Sequence, residues 1–313
     1  MMASNTPLVS VVVITYNSMK YVLETLQSIK NQTYGNIELI VSDDCSTDQT
    51  LEIIEGFVLE NGNFFERVEI VKSSRNSGIT PNCNRGILAS SGVYIKPIAG
   101  DDLLMPNCIR DFVSFFQAHG KIEIAASCTK VFYEDDLNNF HIWPKRYEFP
   151  IGLEKQKLEI LRANFVYNVS IFFTRNLFNS VGGFEEKYSM IEDYPFDYKV
   201  LSKGYEIYLL DKITVNYRVN FDSTTRPLNQ NKFVNVVSHN QGAEFIRENI
   251  LPVLLSKRMY MFYLLRCSKL KLIDAIIANG NNIGSINNKY NRKFLHLNKL
   301  LSGKLRRFYN RLS

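Results

Sequence analysis

Short apolar, β-branched runs alternate with segments of helical period from residue 8 onward, and this alternation is what most narrows the folds open to the chain. LVSVVVI (8–14) has no polar face, as expected of a parallel strand buried on both sides. Val22, Leu26 and Ile29 then recur at helical spacing, with Asn17 or Ser18 placed to cap that helix and residues 32–35 to end it. IELIV (37–41) reads as a second strand, and Leu51, Ile54 and Val58 as the apolar stripe of a second helix. RVEIVK (67–72), a helix over 81–90, VYIKPI (93–98), a helix opened by Pro106, and IEIAASCTKVFY (122–133) continue the series.

Strand and helix in strict turn imply right-handed crossovers, hence an α/β fold with a mostly parallel sheet covered by helices on both faces. Ligands of such sheets bind beyond the carboxyl ends of the strands. The loops expected there are Thr15-Tyr16-Asn17, the Asp43-Asp44-Cys45-Ser46-Thr47-Asp48 run and Gly100-Asp101-Asp102. No G-x-G-x-x-G and no G-x-x-x-x-G-K-[ST] occurs, so backbone amides are not the expected phosphate cradle. Carboxylates holding a divalent cation are the alternative, because Mg²⁺ takes one or two protein carboxylates and completes its shell with phosphate oxygens. An acid pair alone also suits a turn or a helix cap. Asp135-Asp136, in YEDDLNNF, reads as such a solvated pair and serves as an internal control.

Residues 240–313 carry 14 Lys and Arg against 3 Asp and Glu, whereas residues 1–239 carry 23 against 28. An acidic body with a basic, helical, Asn-rich tail implies two parts that meet different partners. The expected boundary lies near Asp222, giving a catalytic domain over 7–222 and a basic, mostly helical region over 223–313. The tail suits a solvated helical face, a contact with an anionic membrane or a helix packed on the body, and no nucleic-acid-binding module is evident. Five scattered cysteines without C-x-x-C argue against a disulfide framework, and MMASNTPLVS lacks the pattern of a secretory signal. A cytoplasmic setting without membrane-spanning helices is the expectation, and the four histidines have no metal-ligand spacing.

PLVSVVVITYNSMKYVLETLQSIKNQTYGNIELIVSDDCSTDQT resembles the opening of family 2 glycosyltransferases of the GT-A fold. The resemblance continues through NSGITPNCNRGI (76–87), GVYIKPIAGDDLLMP (92–106), VGGFEEKYSMIEDYPF (181–196) and YRVNFDSTT (217–225), about two thirds of the chain in the family's order. It implies a UDP-sugar donor, a base pocket lined by Thr15 and Tyr16, with Asn17 alongside, and Asp44, beside Asp43, accepting the uracil imide proton. Asn84 and Arg85 would complete the nucleotide-sugar site. Asp102 would be the chief ligand of Mg²⁺ or Mn²⁺, with Asp101 turned toward ribose or metal, and Asp193 of the Glu192-Asp193 pair would be the general base.

Such enzymes serve bacterial surface polysaccharides such as O-antigen or capsule, on acceptors that are usually lipid-linked, which places the expected site of action at the inner face of the cell membrane. Two departures stand out: Cys83 where many relatives have arginine, and Asn220 where histidine is common. They leave room for a catalytically silent nucleotide-sugar or glycan-binding protein. A sugar nucleotidyltransferase would need a Gly-rich basic loop after the first strand, where this chain has TYNSMK. A processive membrane synthase is disfavoured by the missing Q-x-x-R-W.

Overall fold

In β1 (Val9–Thr15) the side chains alternate between two cores, which is why the strand has no polar face. Val9, Val11 and Val13 enter one with Leu26, Ile54 and Phe112, and Val12 enters the other with Ile87, Phe173 and Phe196. The computed structural model describes residues 6–133, 136–219 and 235–278. Asp135, Asn220, the expected boundary at Asp222 and the basic residues beyond 278 lie outside them.

β1 lies between β2 (Ile37–Asp43) and β4 (Tyr94–Ala99), and β3 (Arg67–Lys72) borders β2, all parallel. The crossovers are α1 (Val22–Lys30), α2 (Thr50–Asn61) and α3 (Ile79–Ala89), as the periodicity predicts. Beyond β4 the sheet is mixed. The order among the described residues is β3-β2-β1-β4-β8-β6-β9-β5, with β7 on the flank of β6. Here β5 is Leu103–Leu104, β6 Ile124–Tyr133, β7 Asp136–Trp143, β8 Phe172–Thr174 and β9 Tyr208–Val219. Only β6 with β9 is parallel in this half. Between them run α4 (Cys108–His119), α5 (Leu153–Ile160), α6 (Arg175–Val181) and α7 (Asp193–Ser202).

Two local expectations are corrected. The first helix begins at Val22 with no side-chain cap, and Asn17 instead adopts φ 50° and spends its amide oxygen on the Thr47 N–H at 2.8 Å. Asn tolerates that left-handed conformation, so it ties the first loop to the second rather than capping. Pro106 precedes rather than enters its helix, which starts at Cys108.

The chain divides into two compact units, residues 1–160 with 164–220, and residues 161–163 with 221–313. In the second, α8 (Val236–Phe245) runs through a π-helical turn into α9 (Leu251–Ser256), and α10 (Tyr260–Ala278) follows. Asp274 on α10 receives His239 and Arg247, each at 2.9 Å. The apolar stretch 251–265 is thus split between two helices, and no helix of the described residues is long and apolar enough to cross a membrane.

At the amino ends of the parallel strands Glu38 is fully buried. Burial alone would raise its pKa, but hydrogen bonds from the Ser10 hydroxyl, the Ser91 amide and hydroxyl and the Gly92 amide outweigh it and hold the carboxyl at about 2. Arg67 adds an ion pair at 3.1 Å. A depressed folded-state pKa contributes stability above the ordinary carboxylate range that is lost as pH falls toward 2. Glu38→Gln is expected to cost on the order of 2 kcal/mol at neutral pH and to flatten that acid limb, read by thermal denaturation across pH. An unchanged midpoint would show that the network contributes nothing.

Candidate active site

The carboxyl ends of β1, β2 and β4 converge because their loops are bonded to one another. Thr15 donates to Asp43 Oδ2 at 2.9 Å, and the Ser46 amide donates to Asp43 Oδ1 at 2.8 Å. The Asn17 amide reaches the Ser46 hydroxyl at 2.9 Å, while the Gly100 amide donates to the Ile14 carbonyl at 2.9 Å. A Cβ on Gly100 would stand 2.9 Å from Thr15 Cγ2, so this approach needs glycine. Thr15, Asp43 and Asp44 are buried, whereas the Tyr16 ring at the lip is 37% exposed. That ring is the one apolar face among these residues open to a planar ligand.

Asp44 is the most heavily bonded of the expected site residues. Its Oδ1 accepts from the Ser77 hydroxyl at 2.7 Å and from Arg85 at 2.9 Å, and its Oδ2 from the Ser77 and Gly78 amides at 2.9 and 2.7 Å. Gly78 sits at φ 98°, where a Cβ would stand 2.7 Å from the Ser189 carbonyl oxygen. Thr80 then donates to Tyr188 and Ser189 carbonyls. One run of contacts thus links the second strand's acid to the loop that delivers Glu192 and Asp193. Tyr188 is 3% exposed and packs the loop from inside.

Asn84 bonds to the loop that follows α6. Its Oδ1 accepts from the Phe184 amide and its Nδ2 donates to the Phe184 carbonyl and to Glu186, so the amide positions the Gly182-Gly183 turn. Arg85 divides its guanidinium among Asp44, Asn82 and Ser77. Cys83 is buried, with Glu192, Asp193 and Asp44 the acids that act on its thiol, and burial first, then those acids, push its pKa far up.

At the end of β4 Asp102 is 1% exposed, and its Oδ1 accepts from the Arg218 amide at 2.8 Å. Burial, then the neighbouring Asp101, hold its carboxyl well above the usual range, despite Arg218 and Lys96. Arg218 locks this corner. Its Nε donates to the Asp101 carbonyl at 2.9 Å, its Nη2 reaches Glu24 at 2.5 Å, and its guanidinium lies 4.4 Å from the Tyr21 ring centroid and 5.1 Å from that of Phe132. Neither Arg218 nor Glu24 is nominated by local sequence, although the Y-R pair of β9 is the signal that marks the arginine.

A divalent cation fits these residues. Among the described residues no three His, Cys, Asp or Glu converge on one point, so the protein forms no closed cage. Two adjacent oxygen donors, one of them deeply buried, are what an oxygen-preferring cation needs when the remaining ligands come from a diphosphate.

Glu192 and Asp193 are half-buried at the start of α7. Burial, then Asp193, lift Glu192 to about 8, and burial raises Asp193 as well. One turn on, fully buried Asp197 accepts from Asn164 at 2.9 Å. Its carboxyl is held well above its usual range by burial and then by Asp193. Among the described residues, no lysine or arginine figures among the groups that shift this acidic cluster. Tyr217 stands next to Arg218 on β9. Burial, then Asp102, Asp101, Tyr167 and Asp193, push its hydroxyl pKa up, so the phenol feels both pairs.

A family model described as "Glycosyl transferase family 2" matches residues 10–181. An uncharacterized glycosyltransferase of Haemophilus influenzae is 29% identical over 255 residues, 79% of this chain and 74% of that protein. The Staphylococcus aureus TarS fragment 1–349 in complex with UDP-GlcNAc superposes with a TM-score of 0.57 at 21% identity, covering 76% of this chain and 65% of that one. The mannosyltransferase PcManGT of Pyrobaculum calidifontis, in complex with GDP-Man and Mn²⁺, gives 0.59 at 16% identity over 98% of this chain and 88% of that one. These likenesses establish the GT-A fold for the chain.

Proposed function

The chain belongs to glycosyl transferase family 2, and on that premise we propose that it transfers a hexose or N-acetylhexosamine from a UDP-sugar to a hydroxyl of a glycan acceptor by a single, inverting displacement. The observation that carries this is a pair of acid sites that both act on Tyr217: Asp101 and Asp102 beyond the end of β4, and Asp193, with Glu192 before it, at the start of α7.

Tyr16 stacks on the base. Asp44 accepts a hydrogen bond from the uracil imide N–H once the Ser77-Gly78 turn gives up one of the four donors it shares with Arg85. Asp43 and Thr15 keep the first two loops in register, and Asn17 fixes the second from beneath. Asp102, with Asp101, would hold Mg²⁺ or Mn²⁺, which when bound stabilises the charge on departing UDP. Asp193 takes the acceptor proton as the hydroxyl attacks, with Glu192 beside it setting how readily a proton is held.

Ligands that bind only the folded state raise its melting temperature in proportion to RT ln(1 + [L]/Kd). UDP-sugars with Mn²⁺ are expected to stabilise the protein more than UDP-sugars with EDTA, and more than GDP-mannose with Mn²⁺. A larger shift with GDP-mannose would overturn the choice of base.

The proposed catalytic domain spans 7–222 and the basic region 223–313, and the proposed setting is O-antigen or capsule assembly on a lipid-linked acceptor at the cytoplasmic face of the membrane. The 14 basic against 3 acidic residues of 240–313 support the membrane contact. Flotation with anionic vesicles that weakens as salt rises is expected, since exposed charges are screened. No flotation at low salt would remove the membrane from the account.

A further inference from the structure

Strand pairing brings aromatic side chains from three separate parts of the chain to one place. Thr129 of β6 pairs with Trp143 of β7, while Val131 pairs with His141 on one side and with Tyr217 of β9 on the other. Residues two apart share a face of a strand, so Trp143, His141, Val131 and Tyr217 project from the same side of the sheet. Tyr167 comes from the loop before β8 and closes the row. Its ring stacks on Tyr217 at 6.0 Å and 29°, and meets Trp143 edge-on at 4.4 Å and 84°.

None of the three rings is fully buried. A wall of three partly exposed aromatics is unlike the two cores, where phenylalanines such as Phe112, Phe172 and Phe196 are enclosed. Its position is set by charge-bearing neighbours. Tyr217 precedes Arg218, whose amide and guanidinium grip Asp102 and Asp101. At the other end Tyr167 precedes Asn168, which belongs with Asn164 to the polar set around Asp197, one turn along α7 from Asp193. The wall is therefore tied at one end to the residue that holds the proposed metal ligands and at the other to the polar set one turn from the proposed base.

We propose that Tyr217, Tyr167 and Trp143 form the acceptor subsite, a platform for the apolar face of a pyranose ring whose attacking hydroxyl is thereby presented to Asp193. A pyranose with mainly equatorial hydroxyls has axial C–H groups on each face. Those faces lie flat on aromatic rings while the hydroxyls at the rim find the carboxylates. Tyrosine suits this twice, since its ring packs and its hydroxyl accepts or donates at the polar edge. The ring is held before the displacement, so the subsite lowers the entropic cost of bringing the hydroxyl to the anomeric carbon. The proposal rests on the transferase reading for the reaction that the bound ring enters. The existence of the platform does not.

Trp143 is the chain's only tryptophan, so its emission reports on the platform alone. The experiment titrates the full chain, saturated with UDP and Mn²⁺, with N,N′-diacetylchitobiose and cellobiose, and with sorbitol as the open-chain control. A saturable change in emission with at least one disaccharide, and none with sorbitol, is expected, with affinity on the order of millimolar. Tyr217→Ala and Tyr167→Ala should each weaken it about tenfold or more, Tyr217→Phe far less, because stacking survives loss of the hydroxyl. Tyr147→Ala, at an exposed tyrosine outside the wall, should leave the titration unchanged.

Thermal stabilisation by UDP and Mn²⁺ is read on every variant as the check on folding and on the donor site. If UDP stabilises the parent but neither disaccharide perturbs Trp143, or if both alanine variants titrate like the parent, the acceptor platform is wrong and the transferase reading stands. If the disaccharide signal behaves as expected while UDP fails to bind, the platform stands and the donor assignment falls.

Discussion

Asp193→Asn is expected to lower kcat by about 10²–10⁴-fold, the ordinary contribution of a general base, while UDP binding in Mn²⁺ stays at the parental level. The substitution keeps the size of the side chain and its place in the first turn of α7 and removes only its affinity for a proton. The pH profile gives the same mechanism a second reading. Glu192 is held at about 8 and Asp193 is also raised, so the pair retains a proton well into the neutral range. A base that carries a proton cannot take another. Activity should therefore rise with pH toward about 8 and fall steadily below it, the reverse of what a salt-bridged, acid-shifted carboxylate would give. Glu192→Gln separates the two acids. If Glu192→Gln is dead while Asp193→Asn is nearly parental, the base is Glu192; if both retain activity, the base lies elsewhere.

Asp102→Asn is expected to cost on the order of 10³-fold in transfer, as several kcal/mol of charge stabilisation on the leaving diphosphate is lost. The amide still offers an oxygen to the Arg218 N–H, so the β4 and β9 corner keeps its bond and only the charge disappears. EDTA should abolish transfer by the parent, and UDP binding by the variant should become insensitive to Mn²⁺. Equal binding by parent and variant in Mn²⁺ would remove Asp102 from the metal site. Asp135→Ala, at a position outside the described residues, should leave transfer unchanged.

The first half of the fold is legible because its rules are local. β1 to β4 follow from short apolar, β-branched runs, and the three helices between them from period 3.6, in stretches of six to twelve residues. The acids at the strand ends follow from the same register, because the strand's last residue fixes where its loop begins. β8 is a different case. Three residues cannot show a period, and Phe172–Thr174 is a strand only because β4 and β6 supply its partners. β9 alternates poorly, with a burial pattern set by β6 on one edge and β5 on the other.

The residues that sequence reasoning overlooks are those whose role depends on such long-range pairing. Arg218 reaches Glu24 and Asp101 from more than a hundred positions away, and Tyr217, Tyr167 and Trp143 meet only when β6, β7 and β9 assemble. Asn84 shows the converse. Its motif is easy to read, yet its amide is consumed in holding Phe184, so a motif position fixes where a residue lies and leaves open what it binds.

Release of UDP from a panel of UDP-sugars, followed with a crude glycan acceptor mixture in Mn²⁺, tests the central claim most directly. The account predicts that the full chain releases UDP from at least one donor, that EDTA stops the release and that Asp193→Asn slows it without weakening UDP binding. Donor bound with Mn²⁺ but released by none of the panel would contradict it, and would leave a protein that holds nucleotide-sugars without turning them over.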